Sequence, residues 1–390
     1  MRSMTTGILA AALLLAANAT SGTGDDRPAA GQSVKPENLH GISASSAAAK
    51  SLNDLGALHY RQGRYEQAEE AYKKAITIWE QGPERESPEA ASTIDNLGVL
   101  YRAQARLGEA AELHRRSLAM RERLLGPEHG DVAVSLANLA EVVRMQGHAG
   151  DAEPLARRAL AIAERAFGPE HAKTGFALAV LGAIYREQQR WPEAETVYER
   201  AAAVSAASLG ENSAAVAENL NNLATVYIAQ RRFTEAEAQL RWSLEVWERS
   251  LGPAHPSVAV ALNNLAQVER LQGRYGEAEP LYRRALEILQ RTNGRSHPSV
   301  AKGLRNLGAL FFEQGKLAGA AELYRQSLEI SEGLEGPEQP EVEACREDLA
   351  RVYRAQGRMS EAKALWRGSL GAPNSLREAD SGEQRLKAGR

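Results

Sequence analysis

The chain has 390 residues, a formal net charge of −3 and a hydrophobic fraction of 43%. That balance argues against nucleic-acid binding through bulk basicity and against repeated membrane crossing, and fits an ordinary soluble protein. Cys345 is the only cysteine, so an intramolecular disulfide is excluded and stability is left to packing.

Residues 1–19 carry Arg2, an apolar run from Ile8 to Ala17 and the small-x-small triplet Ala17-Asn18-Ala19. This is the layout of a secretory signal peptide, with the mature chain expected to begin at Thr20. The apolar run is nearer ten residues than the roughly 20 a spanning helix needs, and no lipobox-type cysteine follows it. The expected location is therefore the bacterial periplasm or the secreted space, without stable membrane insertion after cleavage. Residues 20–46 are rich in Ser, Gly, Ala and Asp with no apolar periodicity, and read as a flexible linker.

From there a single period governs the chain. Leu55, Leu97, Leu139, Leu181, Leu223, Leu265, Leu307 and Leu349 recur every 42 residues, and Ala68, Ala110, Ala152, Ala194, Ala236, Ala278, Ala320 and Ala362 keep the same step. Self-similarity of this size predicts an array of eight stacked repeats over residues 47–370. Length alone would suggest two or three globular domains, but the unbroken period predicts one elongated array whose neighbours share a continuous core. Each unit reads as two amphipathic helices. Ile94, Leu97 and Tyr101 lie at spacings of three and four on one face of a first helix, and Leu107, Ala110, Leu113, His114 and Leu118 do so on a second.

Glycine punctuates both ends of the hairpin. Gly63, Gly147, Gly273, Gly315 and Gly357 share the column between the two helices, and Gly126, Gly168, Gly210, Gly252, Gly294 and Gly336 end the second helix. Pro127, Pro169, Pro253 and Pro337 then block continuation, while Pro88, Pro256, Pro298 and Pro340 suit the first turn of the next helix. Pro154 and Pro280 lie near the start of second helices, where they are expected to be tolerated. Residues 371–390 resemble the linker in composition and read as a disordered tail.

These columns resemble the tetratricopeptide repeat. Leu97-Gly98-x-x-Tyr101 followed by Ala110-x-x-x-His114, and Leu181-Gly182-x-x-Tyr185 followed by Ala194-x-x-x-Tyr198, carry its Leu-Gly-x-x-Tyr and Ala-x-x-x-aromatic pattern. The 42-residue unit, with Asn263-Asn264-Leu265-Ala266, Gln272-Gly273-Arg274-Tyr275 and Glu277-Ala278 through Leu286, resembles the form found in kinesin light chains and many bacterial proteins. The resemblance implies an all-α, right-handed superhelical solenoid of about eight helical hairpins, with the first helices lining the inner, concave face. It implies a protein or peptide partner and no cofactor. Kinesin-like cargo transport is not implied, since no heptad stalk is present.

Candidate binding residues lie on the first-helix face opposite the leucine stripe. One column holds Asn96, Asn138, Asn222, Asn264 and Asn306, beginning at Asp54, interrupted by Val180 and closed by Asp348. Asparagine is a poor residue inside a helix, so its repetition needs another reason. A carboxamide can pair with both N–H and C=O of an extended peptide, the use to which related repeat proteins put this position. Alternatively it bonds to the neighbouring hairpin and fixes repeat register.

A second column, six residues on, holds Arg102, Arg144, Arg186, Arg270 and Arg354, whose guanidiniums suit carboxylates. Solvated surface arginines are the competing reading. The densest set is Asn221, Asn222, Asn263, Asn264, Lys302, Arg305 and Asn306, where a peptide is expected.

Three other features are assigned to structure. His129, His171, His255 and His297 share a loop column, but repeats stacked roughly 20 Å apart cannot share a metal with bonds of about 2 Å, so helix entry or loop packing is expected. Cys345 stands on a core-facing stripe as a small buried residue. Arg346 replaces an apolar residue in the last unit and reads as a polar cap against end-to-end stacking.

No phosphate loop, nucleophile elbow or metal-ligand motif is present, and the array leaves no segment for a catalytic domain. The expectation is a non-enzymatic interaction scaffold that binds an extended peptide or protein segment in the first-helix groove. The alternative is a self-assembling homo-oligomer.

Overall fold

A computed structural model describes residues 44–335 and 340–365. The expected signal peptide, most of the linker and the C-terminal tail lie outside the described residues. Among the described residues there are sixteen helices and no strand. They run as hairpins: α1 (Ala44–Arg61) and α2 (Tyr65–Gln81), α3 (Pro88–Ala103) and α4 (Leu107–Leu125), α5 (Gly130–Met145) and α6 (Ala149–Phe167), α7 (Ala172–Glu187) and α8 (Trp191–Leu209). There follow α9 (Ala214–Ala229) and α10 (Phe233–Leu251), α11 (Pro256–Leu271) and α12 (Tyr275–Asn293), α13 (Pro298–Glu313) and α14 (Leu317–Glu335), α15 (Pro340–Ala355) and α16 (Met359–Ala364).

The chain forms two compact units, residues 1–231 and 232–390, so the division falls inside the fifth repeat. Residues 44–46, given to the linker by composition, belong to the first turn of α1. No described helix is long and apolar enough to cross a membrane.

Side chains capping the first helices explain where they begin. Ser87 and Ser213 accept backbone N–H groups of Ala90 and Val216. In the same column His129, His171, His255 and His297 accept through Nδ1 from the N–H two residues on, at 3.1–3.2 Å. The four loop histidines are thus helix-entry caps that satisfy donors the helix leaves open. The hairpin corner needs a left-handed residue. Gly63, Gly147, Gly273, Gly315 and Gly357 take it, and so do Ala105, Gln189 and Arg231 at φ 60, 60 and 61°. Helices α6 and α12 run unbroken through Pro154 and Pro280, each at the sixth helical position.

The Leu-Gly pattern is a packing rule. A Cβ on Gly56, Gly98, Gly182 or Gly308 would come within 2.7–3.0 Å of the ring of Tyr72, His114, Tyr198 or Tyr324 on the partner helix. At these four positions glycine lets the helix close directly onto the aromatic ring. The leucine column faces the preceding hairpin. In unit 2, Leu307 and Leu310 join Ala266, Ala278 and Tyr282, and Leu349 and Val352 join Ala320 and Tyr324. In unit 1, Leu136, Ile162 and Ala159 make an equivalent core, where each large aliphatic side chain contributes roughly 1.5–3 kcal/mol by leaving water.

A polar clamp not singled out from the sequence ties successive hairpins together. Arg106 donates to Glu69, Arg190 to Glu153, Arg274 to Glu237 and Lys316 to Glu279, each pair 37 residues apart. Three of these cations lie over rings, Arg106 at 3.5 Å from the Tyr101 centre, Arg190 at 4.2 Å from that of Tyr185 and Lys316 at 5.0 Å from that of Phe311.

Two further details differ in kind from the periodic packing. Cys345 is buried, with its Sγ 3.5 Å from Ser327 Oγ. Arg346 does not cap the array: it is buried against α14 and pairs with Glu332 at 2.6 Å, because its column points to the preceding second helix.

Candidate interaction face of the first helices

The asparagine column makes a defined set of bonds between repeats. Asn96 Nδ2 donates to Asn53 Oδ1 at 2.9 Å, Asn138 Nδ2 to Asp95 Oδ2 at 2.9 Å, and Asn306 Nδ2 to Asn263 Oδ1 at 2.8 Å. In each case the acceptor lies 43 residues earlier, one place before the ladder position of the preceding repeat. One carboxamide donor is therefore spent on register. The acceptor oxygens of Asn96, Asn138 and Asn222 are buried without a hydrogen-bond partner.

The arginine column is paired as well. Arg144 holds Glu141 in a fork through Nε and Nη2, both at 2.8 Å, and reaches Glu187 through Nη1. Arg270 donates to Glu313, and Arg305 to Asp348 at 2.6 Å and Glu341 at 3.0 Å. Arg102 lies 3.8 Å from Glu141, and Arg186 donates to Thr225 Oγ1 at 3.3 Å. Three of these pairs, Arg144–Glu187, Arg270–Glu313 and Arg305–Asp348, also span 43 residues. The guanidiniums expected to attract an acidic partner are thus largely neutralised by carboxylates of this chain. Spacing held a signal for these three pairs, whose carboxylates stand one repeat plus one residue later, but not for Arg102 and Arg186, which meet Glu141 and Thr225 39 residues on.

Accessibility separates the candidates by unit. In unit 1, Asn96, Asn138, Asn221, Asn222, Arg102 and Arg144 are buried, the two arginine side chains only 2% exposed, while Arg186 is half-buried. In unit 2, Asn263, Asn264, Arg270, Arg305 and Asn306 are half-buried and Lys302 is exposed, with the Arg270 and Arg305 side chains at 18% and 20%. Here the polar heads reach solvent.

Burial shapes the electrostatics of unit 1. Burial, and then the Glu141 carboxylate, push Glu218 of α9 up to about 8 against the opposing pull of Arg102. Behind the ladder lies a polar knot that no periodic column announced. His114 Nδ1 meets Asp95 Oδ1 at 2.7 Å, Asn138 donates to the other oxygen, and Arg121 lies 3.5 Å away while donating to Ser135 Oγ at 2.7 Å. Although burial opposes its ionisation, His114, Arg121 and Asn138 hold the Asp95 carboxyl below the usual range. His114 stands where the other repeats carry Tyr, Ala, Leu or Trp, and that substitution of a titratable ring was the available signal.

Known proteins agree with this architecture. The tetratricopeptide repeat family matches residues 47–123, 109–165, 149–207, 174–249, 215–291, 257–333 and 299–365. No curated protein matches the chain. Among solved structures, the apo form of the quorum sensor NprR from B. thuringiensis is 14% identical, with 84% of this chain and 88% of that one covered at a TM-score of 0.62. The apo form of RapI is 18% identical, with 75% and 99% covered at a TM-score of 0.54. A putative kinesin light chain from Podosopora anserina with nearly identical TPR-like repeats is 23% identical, with 53% and 98% covered at a TM-score of 0.44. These likenesses concern the fold. With repeat matches running from residue 47 to residue 365, the chain belongs to the tetratricopeptide repeat family.

Proposed function

We propose that this repeat scaffold, without catalysis of its own, holds an extended peptide or protein segment on the first-helix face of unit 2, in the periplasm or secreted space. The observation that carries the reading is the exposure difference. Asn263, Asn264, Arg270, Arg305 and Asn306 keep their polar heads within reach of solvent beside the exposed Lys302, whereas Asn96, Asn138, Asn221, Asn222, Arg102 and Arg144 of unit 1 are buried. Because the arginines are already paired, recognition rests on amide hydrogen bonding to a peptide backbone more than on net charge. The secreted setting rests on the leader alone.

The test is selection from a random-sequence peptide display library against the full chain, followed by calorimetry of the selected peptides. A variant carrying Asn263→Ala, Asn264→Ala and Asn306→Ala is expected to bind at least about tenfold more weakly, a loss of roughly 1.4 kcal/mol. An outer-face variant, Arg283→Ala, is expected to bind unchanged. Equal affinities for the triple variant and the parent would remove the site from this face. N-terminal sequencing of the protein recovered from envelope and medium tests cleavage before Thr20.

A further inference from the structure

The first described repeat ends its second helix early. Helix α2 has 17 residues, whereas α4, α6, α8, α10 and α12 have 19 and close on a glycine at φ 85–94°. In α2 the stop comes at Gly82, which keeps an extended backbone at φ −89° and ψ 168° and returns its N–H to the carbonyls of Ile78 and Trp79. One period before Gly126 and Pro127 stand Glu84 and Arg85. The glycine and proline that shape the next loop are therefore missing, and an arginine takes the proline's place.

Between the end of α2, this loop and α4 lies a cavity of about 320 Å³. Its floor is apolar, made by Ala119 and by Met120, which packs in one buried cluster with Trp79, Ala90 and Ile94. Its rim is charged. Arg116 pairs with Glu80 at 2.7 Å and Arg123 with Glu86 at 3.0 Å, while Arg85, the third guanidinium of the wall, has no ion pair among the described residues. At two later junctions the arginine equivalent to Arg116 ties helix end and loop together. Arg158 bonds to Glu122 at 2.7 Å and Pro127 O at 3.1 Å, and Arg284 to Glu248 at 2.6 Å and Pro253 O at 3.5 Å. Arg116 stops at Glu80, which it meets through Nη2 alone.

We propose that this cavity binds a small carboxylic acid with an apolar body, its carboxylate held by Arg85 and Arg116 and its body resting on Ala119 and Met120. Three guanidiniums against two carboxylates leave the wall one positive charge in excess, which selects an anion over a neutral or cationic molecule of the same shape. The forked donors of Arg85 suit a carboxylate, and Arg116 adds a second cation without giving up Glu80.

Size sets the body. The volume lies at the low end of ligand pockets, which run roughly from 300 to 1,000 Å³, and so suits a single ring or a short branched chain. An extended peptide would need a groove that continues along the array, and at the next junction Arg158 bridges the gap from Glu122 to Pro127. The paired side chains of the rim are 45–60% exposed, so the attraction is screened and the expected Kd is modest, on the order of 0.1–1 mM.

The test is a titration of the full chain with 3-phenylpropionate, followed through the Met120 methyl resonance by NMR. The chain has five methionines, so the resonance is readily assigned by comparison with Met120→Leu. The acid is expected to shift this methyl with a Kd at least about tenfold below that of 3-phenylpropanol, which has the same body without the charge. The amine 3-phenylpropylamine is expected to leave it in place. Arg85→Gln, which disturbs no described ion pair, is expected to weaken the acid about tenfold. Ala119→Phe fills the cavity and is expected to abolish the shift, with circular dichroism confirming equal helicity. Three results would overturn the proposal: no shift of the Met120 methyl up to roughly 10 mM acid, equal affinities for acid and alcohol, or an unchanged affinity in Arg85→Gln.

Discussion

Asn138 donates its side-chain amide to Asp95 Oδ2, 43 residues earlier, with both side chains removed from solvent. A donor placed once per repeat and an acceptor offset by one residue cannot both be satisfied if neighbouring hairpins slide by a helical residue. The ladder therefore specifies register in addition to any ligand contact. Asn138→Ala leaves a buried carboxylate short of one partner and is expected to cost about 1–3 kcal/mol by urea denaturation. Asn306→Ala, where the site is half-buried, is expected to cost less, about 0.5–1.5 kcal/mol. Equal costs at the two sites would show that burial does not set the ladder's worth.

Gly182 and Tyr198 test the packing rule. A Cβ at 182 would stand 2.9 Å from Tyr198 Cε1, so Gly182→Ala is expected to lower stability by about 1–2 kcal/mol despite the better helix propensity of alanine. The cost stays moderate because Ala266 occupies the same column opposite Tyr282, which shows that the backbones can spread. Leu240 fills the ring position in the hairpin that carries Ala224. Tyr198→Leu is therefore expected to offset part of the loss, and a double-mutant cycle reads the coupling. Simple additivity of the two changes would reject the steric account.

The left-handed corners give a prediction of opposite sign. Ala105 and Gln189 hold φ 60° at a column otherwise filled mainly by glycine. Ala105→Gly and Gln189→Gly remove the Cβ penalty at that geometry and are each expected to stabilise by about 0.5–1 kcal/mol in thermal or urea unfolding. A loss of stability in both would mean that the corner tolerates a side chain without strain.

Those corners also show what the sequence could disclose. Periodicity located both helices of every described repeat, because leucine and alanine must return to the same face each turn of the array. Gly63 and Gly147 marked corners by type, yet Ala105, Gln189 and Arg231 take the same conformation without announcing it, since the surrounding hairpin imposes it. The first-helix face was legible as columns, and Asn138 and Arg144 stand where their columns put them. Their burial was not legible, because it depends on how closely several hairpins approach in space. Nor was the pairing of Arg144 with Glu187, which becomes visible only when columns are compared one repeat apart.

Acid should weaken the helix entries. His171, His255 and His297 are shifted below their usual value by burial, with Lys173 adding to the effect at His171. Each accepts an N–H through Nδ1, a bond that only the neutral ring can make. Because the folded values are depressed, the unfolded chain takes up protons first. This stability is present above about pH 6.5 and is lost as pH falls through the folded values. Serine caps the same column at Ser87 and Ser213. Replacing the three histidines by serine is therefore expected to reduce the loss of stability between pH 7 and pH 5 by about 1 kcal/mol in total. Parallel pH curves for parent and variant would exclude the caps as acid-sensitive elements.

Glu218 should act in the other direction. Burial and the Glu141 charge raise it to about 8, so between its ordinary value and 8 the folded chain binds a proton that the unfolded chain has released. Stability from this group is then greatest near pH 5 and falls as pH rises toward and past 8, the reverse of the histidine contribution. Glu218→Gln keeps the shape and the donor while removing the charge. It is expected to be nearly neutral at pH 5 and to stabilise at pH 8.5 by on the order of 2 kcal/mol, discounted for the partial solvent contact of this half-buried side chain. Melting curves of parent and variant at the two pH values decide it. A variant that is equally destabilised at both would mean that Glu218 is an ordinary ionised partner of Arg102, and that the first-helix face of unit 1 is more open to water than its burial indicates.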